Sequence, residues 1–310
     1  MRADSPRRRR RASFATVTVA RLTAALAVLT LALLAGCSDG QAPPAANRPT
    51  ADNPVVGDPG PVHVHGLGVN PGDGALFLAT HTGLFRLPEG ETKAKRVAGR
   101  YQDTMAFTIV GPDRFLGSGH PDGREDLPPY LGLIESRDAG ARWRPVSLLG
   151  KVDFHLLEIA GKTIYGFGSD VESRAPTFLA SDDRGRTWAQ RAAPEPLLAL
   201  AIDPVDSRRI VASGENVNVS GDGGRTWRTV GAEPGLLTWP TPKRLYSVDE
   251  RGVVAVSATG GRSWQATGSL GGAPAAFESA GGQRLLAALH DGTVKQSRDG
   301  GVTWRVRFRP

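Results

Sequence analysis

Cysteine is nearly absent from this chain of 310 residues: there is one. No internal disulfide can form, so a sizeable packed core has to hold the fold together. Paired cysteines that could cage a zinc ion are excluded with it. Aromatics make up 6% of the chain, with only four tyrosines, which limits any chemistry that needs a tyrosine nucleophile. Beyond the first 36 residues hardly a helical period can be found, which excludes dinucleotide-binding α/β folds. No phosphate-cradling glycine loop joins a strand to a helix, and no G-x-S-x-G elbow is present. The surplus of 38 basic over 31 acidic residues also disappears on inspection. Seven arginines and one Asp fall within residues 1–36, leaving 31 basic against 30 acidic. Nothing in that balance calls for nucleic acid.

Those first residues have a character of their own. Arg7 to Arg11 form a positive start, and Leu22 to Leu34 is an apolar run too short to span a bilayer comfortably. The run ends at Leu34-Ala35-Gly36-Cys37, which resembles a bacterial lipobox. Residues 1–36 are expected to be a lipoprotein signal peptide, with Cys37 the lipidated new N-terminus. The protein is then exported and anchored to the outer side of the bacterial cytoplasmic membrane. Arg10-Arg11-Ala12-Ser13-Phe14 leaves both twin-arginine and Sec export open. Residues 37–60 are rich in Pro, Ala, Gly and Asn and read as a flexible tether.

From residue 61 to 310 the chain is organised around one recurring stretch. Ser220-Gly221-Asp222-Gly223-Gly224-Arg225-Thr226-Trp227 returns in full at Ser181 to Trp188 and at Ser297 to Trp304. Ser136 to Trp143 lacks only the Thr, and Ser257 to Trp264 replaces the Asp by Thr259. A period near 40 residues marks a stacked repeat array. Asp accepts hydrogen bonds from nearby amides, Gly supplies a positive φ, and the Trp enters the next strand as a wedge between sheets. Asp138, Asp183, Asp222 and Asp299 are therefore expected to be structural. Short apolar runs between the boxes predict four strands per repeat and six repeats. The expected fold is an all-β, six-bladed β-propeller of four-stranded antiparallel blades, with a seventh blade left open.

These boxes resemble the Asp-box (BNR) repeat of sialidase-like and sortilin-like propellers. The chain as a whole looks like secreted bacterial lipoproteins labelled as sialidase-like glycosyl hydrolases. That resemblance implies boxes on the face away from any active site. It also implies two readings, a glycoside hydrolase or a binding module. Sialidases need an arginine triad, a Tyr nucleophile and an Asp acid/base, and depart from the usual two-carboxylate scheme. Their Arg-Ile-Pro motif is missing here, and Tyr165 and Tyr246 fall in second strands, inside the blades.

Laying the repeats over one another places all six histidines on one face, opposite the boxes. His65 and His155 fall near the start of inner strands, with His63 two residues before His65. Asp103 and Asp153 align with His63. His81, His120 and His290 share the turn between second and third strands. The long segments 121–131 and 169–177 project from the same face, where function is usually carried. Imidazoles with one or two carboxylates are ligands suited to zinc or copper. The expected metal ligands are His63, His65 and His155, with Asp103 or Asp153 beside them and His81 and His120 further out. A glycan or protein ligand on the same face is the other expectation, and a purely structural scaffold the third.

Overall fold

In the computed structural model, residues 57–310 are described. Cys37, the expected signal peptide and most of the expected tether lie outside them. Twenty-four strands form six separate four-stranded sheets. The first holds β1 (Val64–Val69), β2 (Leu76–Thr80), β3 (Gly83–Leu87) and β4 (Lys95–Arg96). The second holds β5 (Asp103–Gly111), β6 (Arg114–His120), β7 (Leu133–Ser136) and β8 (Arg144–Ser147). The third holds β9 (Val152–Ala160), β10 (Thr163–Asp170), β11 (Pro176–Ser181) and β12 (Ala189–Arg191). The fourth holds β13 (Ala199–Ile202), β14 (Ile210–Ser213), β15 (Val217–Ser220) and β16 (Arg228–Val230). The fifth holds β17 (Leu236–Thr241), β18 (Arg244–Val248), β19 (Val253–Ser257) and β20 (Gln265–Ser269). The sixth holds β21 (Pro274–Ser279), β22 (Leu285–Leu289), β23 (Val294–Ser297) and β24 (Arg305–Phe308). All neighbours within a sheet run antiparallel, and the inner strands β1, β5, β9, β13, β17 and β21 touch in a closed ring. The fold is a six-bladed β-propeller, and the seventh blade left open by the repeat count is absent from the described residues.

The recurring stretch forms the turn between third and fourth strands, and its hydrogen bonds explain its composition. Asp183 Oδ1 accepts from the amides of Arg186 and Thr187, each at 2.9 Å, while Oδ2 accepts from the Thr187 hydroxyl at 2.6 Å. The Ser181 hydroxyl donates to Asp183 and accepts from the Gly185 amide, both at 2.8 Å. Asp222 and Asp299 repeat the pattern. Where Thr259 replaces the Asp, its hydroxyl takes the Ser263 amide at 2.9 Å. Where Arg142 replaces the Thr, its guanidinium pairs with Asp138 at 3.2 Å. These aspartates are committed to their own turns, and the carboxyls of Asp183, Asp222 and Asp299 are held well below the usual range by those bonds.

The glycine at the fifth position of each box meets the preceding blade. A Cβ on Gly185 would land 2.1 Å from Leu133 Cδ2, and one on Gly224 2.7 Å from Phe178. The box Trp adds to the same junction: Trp188 Nε1 donates to Ser147 Oγ across the blade boundary, and Trp227 Nε1 to the Ala192 carbonyl. Five of the six repeats therefore carry their own docking device, which is why the period is so legible.

Among the described residues, ring closure uses no exchanged strand. The sixth sheet is built entirely from the C-terminal end of the chain, and the first entirely from residues 64–96. They are joined by packing of Val64, Leu67, Leu78 and Phe85 against Ala276, Leu286, Ala288 and Phe308. Arg307 adds donated bonds to the carbonyls of Pro88 and Glu91, at 2.8 and 2.9 Å.

Candidate metal centre at the axial mouth

The antiparallel order puts the start of each inner strand and each turn between second and third strands at one end of the ring. The boxes lie at the other end. His65 occupies the start of β1, at a bulge: Val64 pairs with Thr80 and Gly66 with Ala79, leaving His65 as the extra residue. A bulge re-aims a side chain that strand alternation would otherwise point into the blade. The same irregularity recurs at His155 in β9, between the pairs Phe154–Gly168 and Leu156–Phe167. His63 precedes β1 and takes a left-handed backbone conformation, φ 56°, uncommon for a residue with a side chain. Its nearness to His65 comes from that turn and the bulge rather than from a shared strand face.

Three imidazoles converge. Each of His63, His65 and His81 offers a nitrogen within 4.8 Å of the others'. Ring centroids are 5.1 Å apart for His63 and His65, 5.0 Å for His63 and His81, and 4.2 Å for His65 and His81. His81 Nδ1 lies 3.1 Å from His65 Nε2 and 3.0 Å from Asp103 Oδ2. Asp103 is completely buried at the start of β5, with its other oxygen 3.8 Å from His65 Nε2. A carboxylate only accepts, so Asp103 draws the His81 proton to Nδ1 and leaves Nε2 with its lone pair free. Burial, then the neighbouring His81, pushes the His65 imidazole down to about 3. Burial lowers His63 as well, followed by His81 and His290. At neutral pH both rings are favoured in the neutral form, in which one of the two nitrogens carries a lone pair.

The other site candidates are placed differently. His155, expected among the ligands, is half-exposed and donates to Asp153 Oδ2 at 3.2 Å. That bond raises its basicity. Asp153 Oδ1 is buried without a hydrogen-bond partner among the described residues. His81, expected further out, is inside the cluster. His120 is buried, donates from Nδ1 to the Pro129 carbonyl at 2.8 Å and packs its ring on Tyr130 at 5.3 Å. Its work is to fix the long 121–131 segment, and it does not join the three. His290 stands just outside, its ring 6.3 Å from that of His63. Tyr165 donates to the Ser207 carbonyl at 3.0 Å, and Tyr246 is buried within its blade.

The axis also holds two carboxyls that the repeat spacing does not announce. Glu158 on β9 and Glu278 on β21 come from opposite blades of the ring and face each other across its axis. Glu278 Oε1 accepts from Thr238 Oγ1 at 2.8 Å and from the Ser279 amide at 2.6 Å. Burial by the surrounding strands, then the facing Glu278, raises Glu158 well above the usual carboxyl range, and burial raises Glu278. A carboxyl raised in the folded state stabilises fully below its unfolded value, 4.5, and loses that contribution as pH climbs toward the folded value. Glu158→Gln should therefore stabilise the protein at pH 8, where the buried carboxyl of the wild type has to lose its proton. At pH 4 the substitution should change little. Thermal melts of both proteins across that range check it, and equal pH slopes would contradict it.

No protein-family model matches the chain, and no curated protein does. Solved structures do match. The nidogen/laminin complex gives a TM-score of 0.58 at 14% identity, covering 76% of this chain and 93% of that one. An ancestral GH74 enzyme gives 0.51 at 13%, covering 81% of this chain but only 39% of the enzyme. A structure of YCF48 bound to D1 peptide gives 0.49 at 15%, covering 80% and 82%. At such identities the first two likenesses, with TM-scores above 0.5, speak to the propeller fold alone.

Proposed function

We propose that this protein is a lipid-anchored propeller of the Asp-box type whose axial mouth binds a transition metal ion, zinc or copper. The convergence of His63, His65 and His81 on one point, with Asp103 behind His81, is the observation that carries this reading. A tetrahedral zinc with nitrogens at about 2.0–2.1 Å holds those nitrogens about 3.4 Å apart and their ring centroids about 5 Å apart. The three rings already stand at 4.2 to 5.1 Å. Neutral imidazoles need no deprotonation before binding, so protons compete weakly at pH 7. Asp103 supplies both orientation and compensating negative charge.

The lipobox at Cys37 would hold this mouth at the outer surface of the membrane, where the metal could be captured, passed on or presented to a partner. Binding does not require turnover. The glycosidase reading gains no nucleophile from Tyr165 or Tyr246, which are engaged within the blades.

Elemental analysis of the protein purified from its membrane tests the metal directly. About one zinc or copper per chain is expected, and the absence of both after incubation with each would overturn the reading. In the same preparation Cys37→Ser should move the protein from the membrane fraction to the soluble one. Unchanged fractionation would remove the anchor.

A further inference from the structure

His290 belongs to the last blade and His63 to the lead-in of the first. Between them runs the seam where the ring closes without an exchanged strand. His290 sits in a tight turn, with the Leu289 amide donating to the Thr293 carbonyl at 2.8 Å and the Gly292 amide to the Leu289 carbonyl at 2.9 Å. The Thr293 amide also donates to Asp291 Oδ1 at 2.8 Å. The backbone is therefore fixed while the imidazole is exposed. Its ring is 6.3 Å from the His63 ring, and tetrahedral ligation asks for about 5 Å. Rotation of an exposed side chain spans that difference. His81 occupies the corresponding turn of the first blade and is already within the cluster.

We propose that His290 is the fourth ligand of the metal, so that the ion bolts the sixth blade to the first and locks the ring. This rests on the metal-binding function proposed for the mouth. In a ring without an exchanged strand, the first and last blades are held together by packing with no continuous chain between them. A metal ligated from both sides of that junction converts a packing contact into a coordinate bond. The mouth would then act as binding site and clasp together, with the free ring able to loosen at the seam when metal is lost.

Hydrogen exchange by mass spectrometry, with and without zinc, tests the clasp in the wild-type protein and in His290→Ala. His290 is exposed, so the variant should fold, which circular dichroism confirms. Zinc is expected to slow exchange in β1, β2 and β22 to β24 of the wild type by at least ~10-fold. As the loss of a ligand rather than of a group that hydrogen-bonds one, His290→Ala should weaken zinc binding by at least ~100-fold and show no seam-specific slowing even when saturated. Equal affinity and equal seam protection in the variant would overturn the clasp while leaving the three-imidazole site standing. No zinc bound by the wild type would remove both.

Discussion

Replacing His65 by Ala should abolish tight metal binding. Removing a group that merely hydrogen-bonds a ligand costs about 10–100-fold in affinity, so deleting a ligand should exceed ~100-fold. His65 is the deepest of the three imidazoles, with its side chain 13% exposed, and it stands within reach of both His81 and Asp103. His155, the nearest candidate for a substitute by the sequence pattern, is held by Asp153. Isothermal titration with zinc at pH 7 reads the effect. His120→Ala serves as the control, because that ring ties down the 121–131 segment and does not contact the cluster. An affinity in His65→Ala within a few-fold of wild type would mean the metal sits elsewhere.

Gly185→Ala should be the most destabilising small substitution in the boxes. The residue has φ 80°, and the added methyl would meet Leu133 Cδ2 at 2.1 Å. The left-handed conformation costs a residue with a Cβ about 1–2 kcal/mol, and overpacking a core costs about 1–3 kcal/mol. Together these predict a loss of about 2–5 kcal/mol, which for a domain this size lowers Tm on the order of 10 °C. The damage falls at the junction of the second and third blades, where Leu133 also packs against Phe154 and Ile164. Gly221→Ala is the matched control: nothing stands within 4 Å of its added carbon, so its melt should shift little. Similar melts for the two variants would contradict the docking role given to the glycine at the fifth box position.

The box repeats because each copy must make the same turn and dock on the blade before it. Spacing and tryptophans therefore lead from the sequence to five blades, and the apolar runs of residues 62–97 add the sixth. The histidines can be sent to one end of the ring for the same reason. Their convergence cannot be ranked that way. His65 reaches the mouth through a β-bulge and His63 through a left-handed residue, and neither backbone event is written in the residue types around them. Alignment thus favours His155, which a carboxylate two residues away diverts, over His81, which a buried carboxylate from the next blade draws in. Glu158 and Glu278 are invisible in the sequence for a related reason: they meet only because opposite blades face each other across the axis. The closing of the ring by packing, without a swapped strand, is likewise a property of the whole ring and of no single repeat.

The identity of the ligands around a bound metal decides the account. Zinc loaded one to one onto the protein should give an X-ray absorption spectrum of a four-coordinate ion with at least three imidazole nitrogens at about 2.0–2.1 Å. A six-oxygen shell resembling hydrated zinc, or an imidazole signal that survives in His65→Ala, would contradict it.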